Sequence, residues 1–472
     1  MRRVTISPIR EVESKDNQEK NTMATNRWEE IERVASSEVL AALKKFDAYY
    51  DGPKIVDWAA GLYDTEIGGF YYSNSARDTQ GYLPDLESTC QLLGHISAMG
   101  VPYTLPDAIK RKIVEFTKST QSETDGYFYH PQWPKGRENL PNDRYGRDLG
   151  WATSLITRWT LDGEAQYPNF CAPNGVKCKK HHGTDGCCFP KVLTPKTEKK
   201  EEAPAKRDIS IPDYSSREAF SAWLEEYEKD IKIASGRAHN LAALMSQIVT
   251  NGYGDIVLDL YDRVQAELYE EHIAKGIEPT GLWQTNIDYK IVWGLWKHMQ
   301  YYNHSEIGRP IDLKYVPYMI KSCVKVLLLK PDGMYRMNDL FNQWVSIGAV
   351  ISNVRKYHGE EALGVIYDIV RENATALIDN TLEKIAPFRV EDGSIAYQSN
   401  GLSMKTIYGT PIALGVHEGD VNAVSLCISM HKSIFTCLGF KPIPLAGAED
   451  GERFVNALIN AKPINKKPKP EV

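Results

Sequence analysis

The stretch "RWEEIERVASSEVLAALKKFDAYY", residues 27–50, decides the fold class. Its apolar residues recur every three or four positions, the period of a helix with one buried face. Similar text continues to about residue 440, with few of the alternating β-branched runs that read as strands. The chain is therefore predicted to be all-α. The breaks between helices share a theme: "IGGFYYSNS" (67–75), "TDGYFYHPQ" (124–132), "PDGMYRMND" (331–339) and "EDGSIAYQS" (391–399). Each puts a glycine at a turn after a helix, with aromatic or polar text behind it. The repeat suggests stacked helical hairpins whose aromatic residues line a shared rim. Hairpins that close into a ring make an (α/α) toroid; otherwise they make an irregular helical bundle.

The chain has 472 residues, enough to bury a large core. Residues 1–25 read as a polar, disordered leader and 26–445 as the helical domain. Residues 446–472 read as a C-terminal tail. An insertion at 164–213 breaks the helical pattern; its second part, "TPKTEKKEEAPAKRD" (194–208), reads as a flexible excursion. The composition, 42% hydrophobic and 25% charged, is that of a soluble globular protein. A net charge of −6 argues against a general nucleic-acid binder but permits a local basic cleft. No apolar run is long enough to span a membrane. The leader lacks the apolar core of a signal peptide, so the chain reads as cytoplasmic as written, or as secreted if a processed segment is missing. No phosphate-binding loop, dinucleotide fingerprint, H-E-x-x-H or G-x-S-x-G is present, and no cofactor is expected. Ten Trp and 26 Tyr suit the stacking of sugar rings, although core packing explains most aromatic residues.

Four of the eight cysteines, Cys90, Cys323, Cys427 and Cys437, sit in apolar helical text and read as reduced core residues. The others lie in "CAPNGVKCKKHHGTDGCC" (171–188) of the insertion. Cys171, Cys178 and Cys187, with His181, could form a small structural zinc site, but the spacing is not a standard signature. The vicinal Cys187–Cys188 pair suits neither zinc nor simple disulfides. Disulfides or free thiols are the alternatives, and catalysis is not expected there.

In "ASGRAHNLAALMSQIV" (234–249), Arg237, His239 and Asn240 head an apolar helical stripe. Arg237 lies four before Leu241, and Asn240 four before Leu244, so both continue the stripe toward the helix start. A stripe that turns polar at one end faces a cavity rather than dry core. His239 lies about 200° around the helix from Arg237 and reaches the same cavity only at a rim. Arg, Asn and His at one mouth can grip a carboxylate and stabilise the enediolate formed when its α-proton leaves. A Tyr or His then serves as base, and a Tyr can protonate the departing oxygen. That chemistry is β-elimination in a uronic-acid polymer. The plainer alternative is a capped helix head with a surface salt bridge.

The combination resembles the α/α-toroid polysaccharide lyases, most nearly polysaccharide lyase family 38, the glucuronan and alginate lyases. The resemblance covers roughly residues 28–445 apart from the insertion. It rests on helical layout and on the adjacent His239–Asn240 pair, followed about fifty residues later by Tyr289 in "GLWQTNIDYKIVWGLWKHMQYYN". It implies that Asn240 and His239 neutralise the substrate carboxylate, that Tyr289 is the acid and can also serve as the base, and that Arg237 assists. The partner would be an anionic polysaccharide or oligosaccharide. One departure stands out: an Arg expected shortly before the Tyr is replaced by Trp283 and Gln284.

A second cation could come from "NDRYGRDLGWATS" (142–154), which offers Arg144, Tyr145 and Arg147 just before a helix. Tyr145 thereby rivals Tyr289. "YLPDLESTCQ" places Asp85 and Glu87 at a helix start, where acidic residues are common for dipole reasons. "GVHEGDVNAVS" places His417, Glu418, Asp420 and Asn422 in a loop before a helix, more polar groups than a cap needs. Trp133, with Tyr127 and Tyr129, is a sugar-stacking candidate or packs beneath its loop. Two rivals follow: a glycoside hydrolase on the same fold using Glu87 or Glu418 and Asp420, and a non-catalytic glycan-binding protein using the aromatic rim.

Overall fold

The structure is a computed structural model. It describes residues 27–121, 128–130, 132, 142–158, 212–231, 244–245, 248–249, 251–274, 302–304, 307–330, 333–407 and 410–469. The described chain is mostly helical. After a helical segment at 27–32 come α1 (Ser37–Asp47), α2 (Gly52–Gly61), α3 (Asn74–Asp78), α4 (Leu86–Ala98), α5 (Asp107–Ser119) and α6 (Asn142–Arg158). Then follow α7 (Arg217–Ile231), α8 (Gly254–Ala274), α9 (Val316–Leu328), α10 (Met337–His358), α11 (Gly364–Glu372) and α12 (Ala374–Ile385). A two-stranded antiparallel ribbon, β1 (Thr406–Ile407) and β2 (Thr410–Pro411), precedes α13 (Val421–Cys437) and α14 (Ala448–Ile459).

The opening stretch folds as its periodicity requires. Ser36 caps α1 by accepting from the Val39 amide at 3.3 Å, and Ala42, Leu43 and Phe46 turn one face inward. α1 packs on α12, and α2 on α14. α13 is buried nearly all round and lies between α4 and α10; α4 also meets α6, and α10 meets α9. A helix whose only partly exposed stripe is narrow, along Leu426, Ser429, Ser433 and Thr436, is a central element.

α4 and α13 run in the same direction. The Phe70–Tyr72 segment crosses both helix starts: the Asp85 amide donates to the Phe70 carbonyl at 3.3 Å and the Val421 amide to the Tyr72 carbonyl at 2.9 Å. Further along, Gln91 meets Asn422 and His95 meets Ser425, so both chains advance together.

Two of the glycine turns read from the sequence show why sterics demand glycine there. Gly68 has φ +94°, and a Cβ there would lie 2.6 Å from the Lys112 carbonyl oxygen. Gly393 has φ +87° and approaches Lys54 as closely. The aromatic residues behind Gly68 do not line a rim. Phe70, Tyr71 and Tyr72 are buried, and Tyr71 donates its hydroxyl to Asp64 at 2.5 Å. Their large apolar area is used in the core instead.

Two segments differ from their sequence reading. α6 starts at Asn142, so Arg144, Tyr145 and Arg147 lie within a helix rather than before it; Asn142 and Asp143 suit a first turn. Residues expected as a tail carry α14, whose Phe454 and Leu458 are buried. Beyond α14 the chain forms a strap along residues 78–80: Lys467 N donates to the Asp78 carbonyl at 2.7 Å, and Gln80 N to the Lys467 carbonyl at 2.8 Å. No helix among the described residues is long and apolar enough to cross a membrane.

Candidate functional site

A polar seam runs between α4 and α13. On α4, Glu87, Gln91 and His95 fall at successive spacings of four and share one face. Asp85 caps α4 and accepts from the Glu87 amide at 2.6 Å, which fixes Glu87 in the first turn, where the helix dipole favours its charge. Glu87 has no exposed surface. Its Oε1 accepts from Arg147 Nη2 at 2.7 Å and from Gln91 Nε2 at 3.0 Å. The Arg147 guanidinium also lies 4.8 Å from the Trp151 ring centroid, so cation and ring share α6.

The Gln91 amide nitrogen reaches Asn422 Oδ1 at 3.4 Å across the seam. Gln91 Oε1 is buried and has no hydrogen-bond partner among the described residues. Deeper in, His95 Nδ1 lies against the Gln91 carbonyl and 2.7 Å from Ser425 Oγ. A carbonyl only accepts, so Nδ1 carries the ring proton. Burial drives the imidazole down to about 4, and Lys432 adds to this, against the Gln91 hydrogen bond.

The other side of the seam, at the helix starts, is the loop before α13. Asp420 caps that helix, accepting from the Ala423 amide at 2.8 Å and from the Met404 amide at 2.9 Å. Burial pushes its carboxyl up to about 7; the two amides oppose the shift, and the nearby Glu418 and Glu87 charges add to it. Glu418 accepts from Ser75 N at 2.8 Å, Ser75 Oγ at 2.5 Å and Ser403 Oγ at 2.9 Å. Ser75 Oγ also receives the Leu414 amide at 3.0 Å, which ties the loop to α3. Tyr82 donates to the Ala413 carbonyl at 3.2 Å; burial, then the Glu418 charge, raises its phenol.

The structure therefore brings Glu87, Arg147, Glu418, Asp420 and Asn422 to one end of the seam. His417 stands apart: its side chain is exposed, and its ring rests against Gly401. Arg144 and Tyr145 belong to the first turn of α6, but their side chains lie outside the described residues. Arg237, His239, Asn240, Tyr289 and Trp133 also lie outside them, as do Cys171, Cys178, Cys187 and His181. Ser75, Ser403, Gln91 and His95 were missed as functional candidates. The spacing of "ESTCQLLGH" (87–95) carried a signal for two of them, a polar stripe on an otherwise apolar helix. The serines gave none, because each reaches Glu418 only through the fold.

Chemically, the cluster combines a buried carboxylic acid that changes charge near neutrality with two carboxylates, one guanidinium and two amides. Such a set can move a proton and can bind hydroxyl groups. Comparison with known proteins adds no relative: no family model, curated protein or solved structure matches this chain.

Proposed function

We propose that this chain is a glycan-cleaving enzyme whose hairpins close into an (α/α) toroid, and that it cuts a uronic-acid polymer of the glucuronan or alginate type by β-elimination. The observation that carries glycan cleavage is the polar seam between two parallel central helices, where a buried acceptor, Gln91 Oε1, has no hydrogen-bond partner among the described residues and lies behind the carboxylates at the helix starts. Ring closure is supported by the pairing of α13, late in the chain, with α4, early in it.

The elimination step rests on the sequence motif. Asn240 and His239, helped by Arg237, hold the uronate carboxylate. Tyr289 removes the adjacent proton; the electron pair forms the carbon–carbon double bond; and the glycosidic oxygen leaves with a proton from Tyr289 or from Tyr145. Arg147 is tied to Glu87, so it tunes the seam rather than acting as a free second clamp. Asn240→Ala and Tyr289→Phe should abolish product formation while the melting temperature stays near that of the wild type. Activity surviving in both variants would remove this assignment.

One observation favours hydrolysis as a second reading. Asp420 titrates near neutrality beside Glu418 and Glu87, as an acid paired with a carboxylate base does. In that case Asp420→Asn and Glu87→Gln abolish cleavage, and the Asn240 and Tyr289 variants retain it. A glycan-binding protein instead loses affinity with Trp133→Ala and turns over nothing.

A further inference from the structure

The strap beyond α14 carries four lysines, Lys462, Lys466, Lys467 and Lys469, in nine residues that also include Pro463 and Pro468. It is held in one register by the two backbone hydrogen bonds to residues 78–80. Lys466 faces inward, with its ammonium donating to the Tyr82 carbonyl at 2.5 Å and lying 4.3 Å from the Tyr71 ring centroid. Its extended neighbours alternate outward. Lys462, Lys467 and Lys469 are exposed and have no carboxylate partner among the described residues. The acid beneath the strap, Asp78, is already engaged by Arg77 through two bonds of 2.6 and 2.8 Å.

The Lys469 end of this row leads toward the seam. Lys469 lies 5.6 Å from the Tyr82 ring centroid, and Tyr82 bonds to Ala413, next to the Leu414 amide held by Ser75, a partner of Glu418. The chain is acidic overall, with a net charge of −6, so an uncompensated basic row on an ordered strap is a local exception. From this geometry we infer that the strap is a binding edge for a carboxylate-bearing glycan, with Lys462, Lys467 and Lys469 holding the polymer beyond the cleavage subsites. The choice of a uronate glycan as occupant rests on the proposed function. Charge complementarity and the nearness of the seam carry the rest.

The test is fluorescence anisotropy with a labelled oligoglucuronate of defined length, over a range of salt, using wild type and a Lys462→Gln, Lys467→Gln, Lys469→Gln triple variant. Lys466 is left in place, so the strap keeps its anchor; an unchanged melting temperature confirms this. The expected result is a dissociation constant weakened about tenfold at low salt, as three screened contacts would give, with a flatter salt dependence. The KM for polymer rises alongside, and kcat holds. Equal affinity and equal salt dependence would overturn the inference, as would a wild type that binds no uronate. Tighter, equally lysine-dependent binding of labelled single-stranded DNA would overturn the glycan assignment. The two proposals fail separately. Lysine-dependent uronate binding without any cleavage sinks the enzyme reading and leaves the strap, whereas cleavage with an unchanged KM does the reverse.

Discussion

Arg147 Nη2 lies 2.7 Å from Glu87 Oε1, and the carboxylate it meets has no exposed surface. Removing the cation takes the guanidinium away from a buried carboxylate that Gln91 also donates to. Arg147→Met should therefore destabilise the fold by about 3 kcal/mol, at the lower end of the cost of breaking a buried pair. Adding Glu87→Gln to it should recover much of that loss, since the uncompensated charge is gone. Urea unfolding of the two single variants and the double variant measures the coupling.

The half-buried His95 and the buried Asp420 should impose opposite pH dependences on stability. His95 titrates at about 4 in the folded chain, against about 6.5 when unfolded. Its contribution is present above about 6.5 and is lost as pH falls toward 4. Asp420 titrates at about 7 folded, against about 3.9 unfolded. Its contribution is full at low pH and is lost as pH rises through 7. Between about pH 4.5 and 6 the unfolded chain holds one extra proton on His95 and lacks one on Asp420, so the two slopes cancel.

Single variants should expose each slope. Relative to wild type, His95→Gln should lose stability with rising pH in that window, by about 1.4 kcal/mol per pH unit, and Asp420→Asn should gain it at a similar rate. Asp420→Asn also turns an amide donor toward Met404, adding a constant loss of about 1 kcal/mol. Thermal unfolding in matched buffers checks both. Parallel pH profiles for the two variants would contradict the opposite shifts that desolvation gives these groups.

Gly68→Ala should destabilise by about 2 kcal/mol, because φ is +94° and the new methyl would meet the Lys112 carbonyl. Gly81→Ala shares the positive φ, +87°, but meets nothing within 4 Å, so it should cost less, about 1 kcal/mol. The difference between the two melting temperatures isolates the contact from the backbone strain.

The helical class was legible because a period of three to four residues survives along the chain, as in Ala42, Leu43 and Phe46 of α1. The glycine turns were legible for a similar reason, since only glycine tolerates the conformation at Gly68 and Gly393. The path of the aromatic residues was not. Nothing local distinguishes a Tyr that lines a rim from Tyr71, whose hydroxyl finds Asp64 only after folding. At the seam, Glu87, Glu418 and Asp420 were visible as helix-start acids, and their convergence was not, because 331 residues separate Glu87 from Glu418 in sequence. Arg147 looked like a loop cation and proved to be the partner of a buried carboxylate. α14 was hidden by its position near the chain's end, where polar text reads as tail.

The most direct measurement is ultraviolet absorbance during incubation with glucuronan, polymannuronate, polyguluronate, pectate and glycosaminoglycans, with new reducing ends counted in parallel. Elimination leaves a conjugated double bond at each cut. The expected result is absorbance rising in step with reducing ends on a glucuronan or alginate-type polymer. Reducing ends that accumulate at flat absorbance would contradict elimination and turn attention to Asp420 and Glu87.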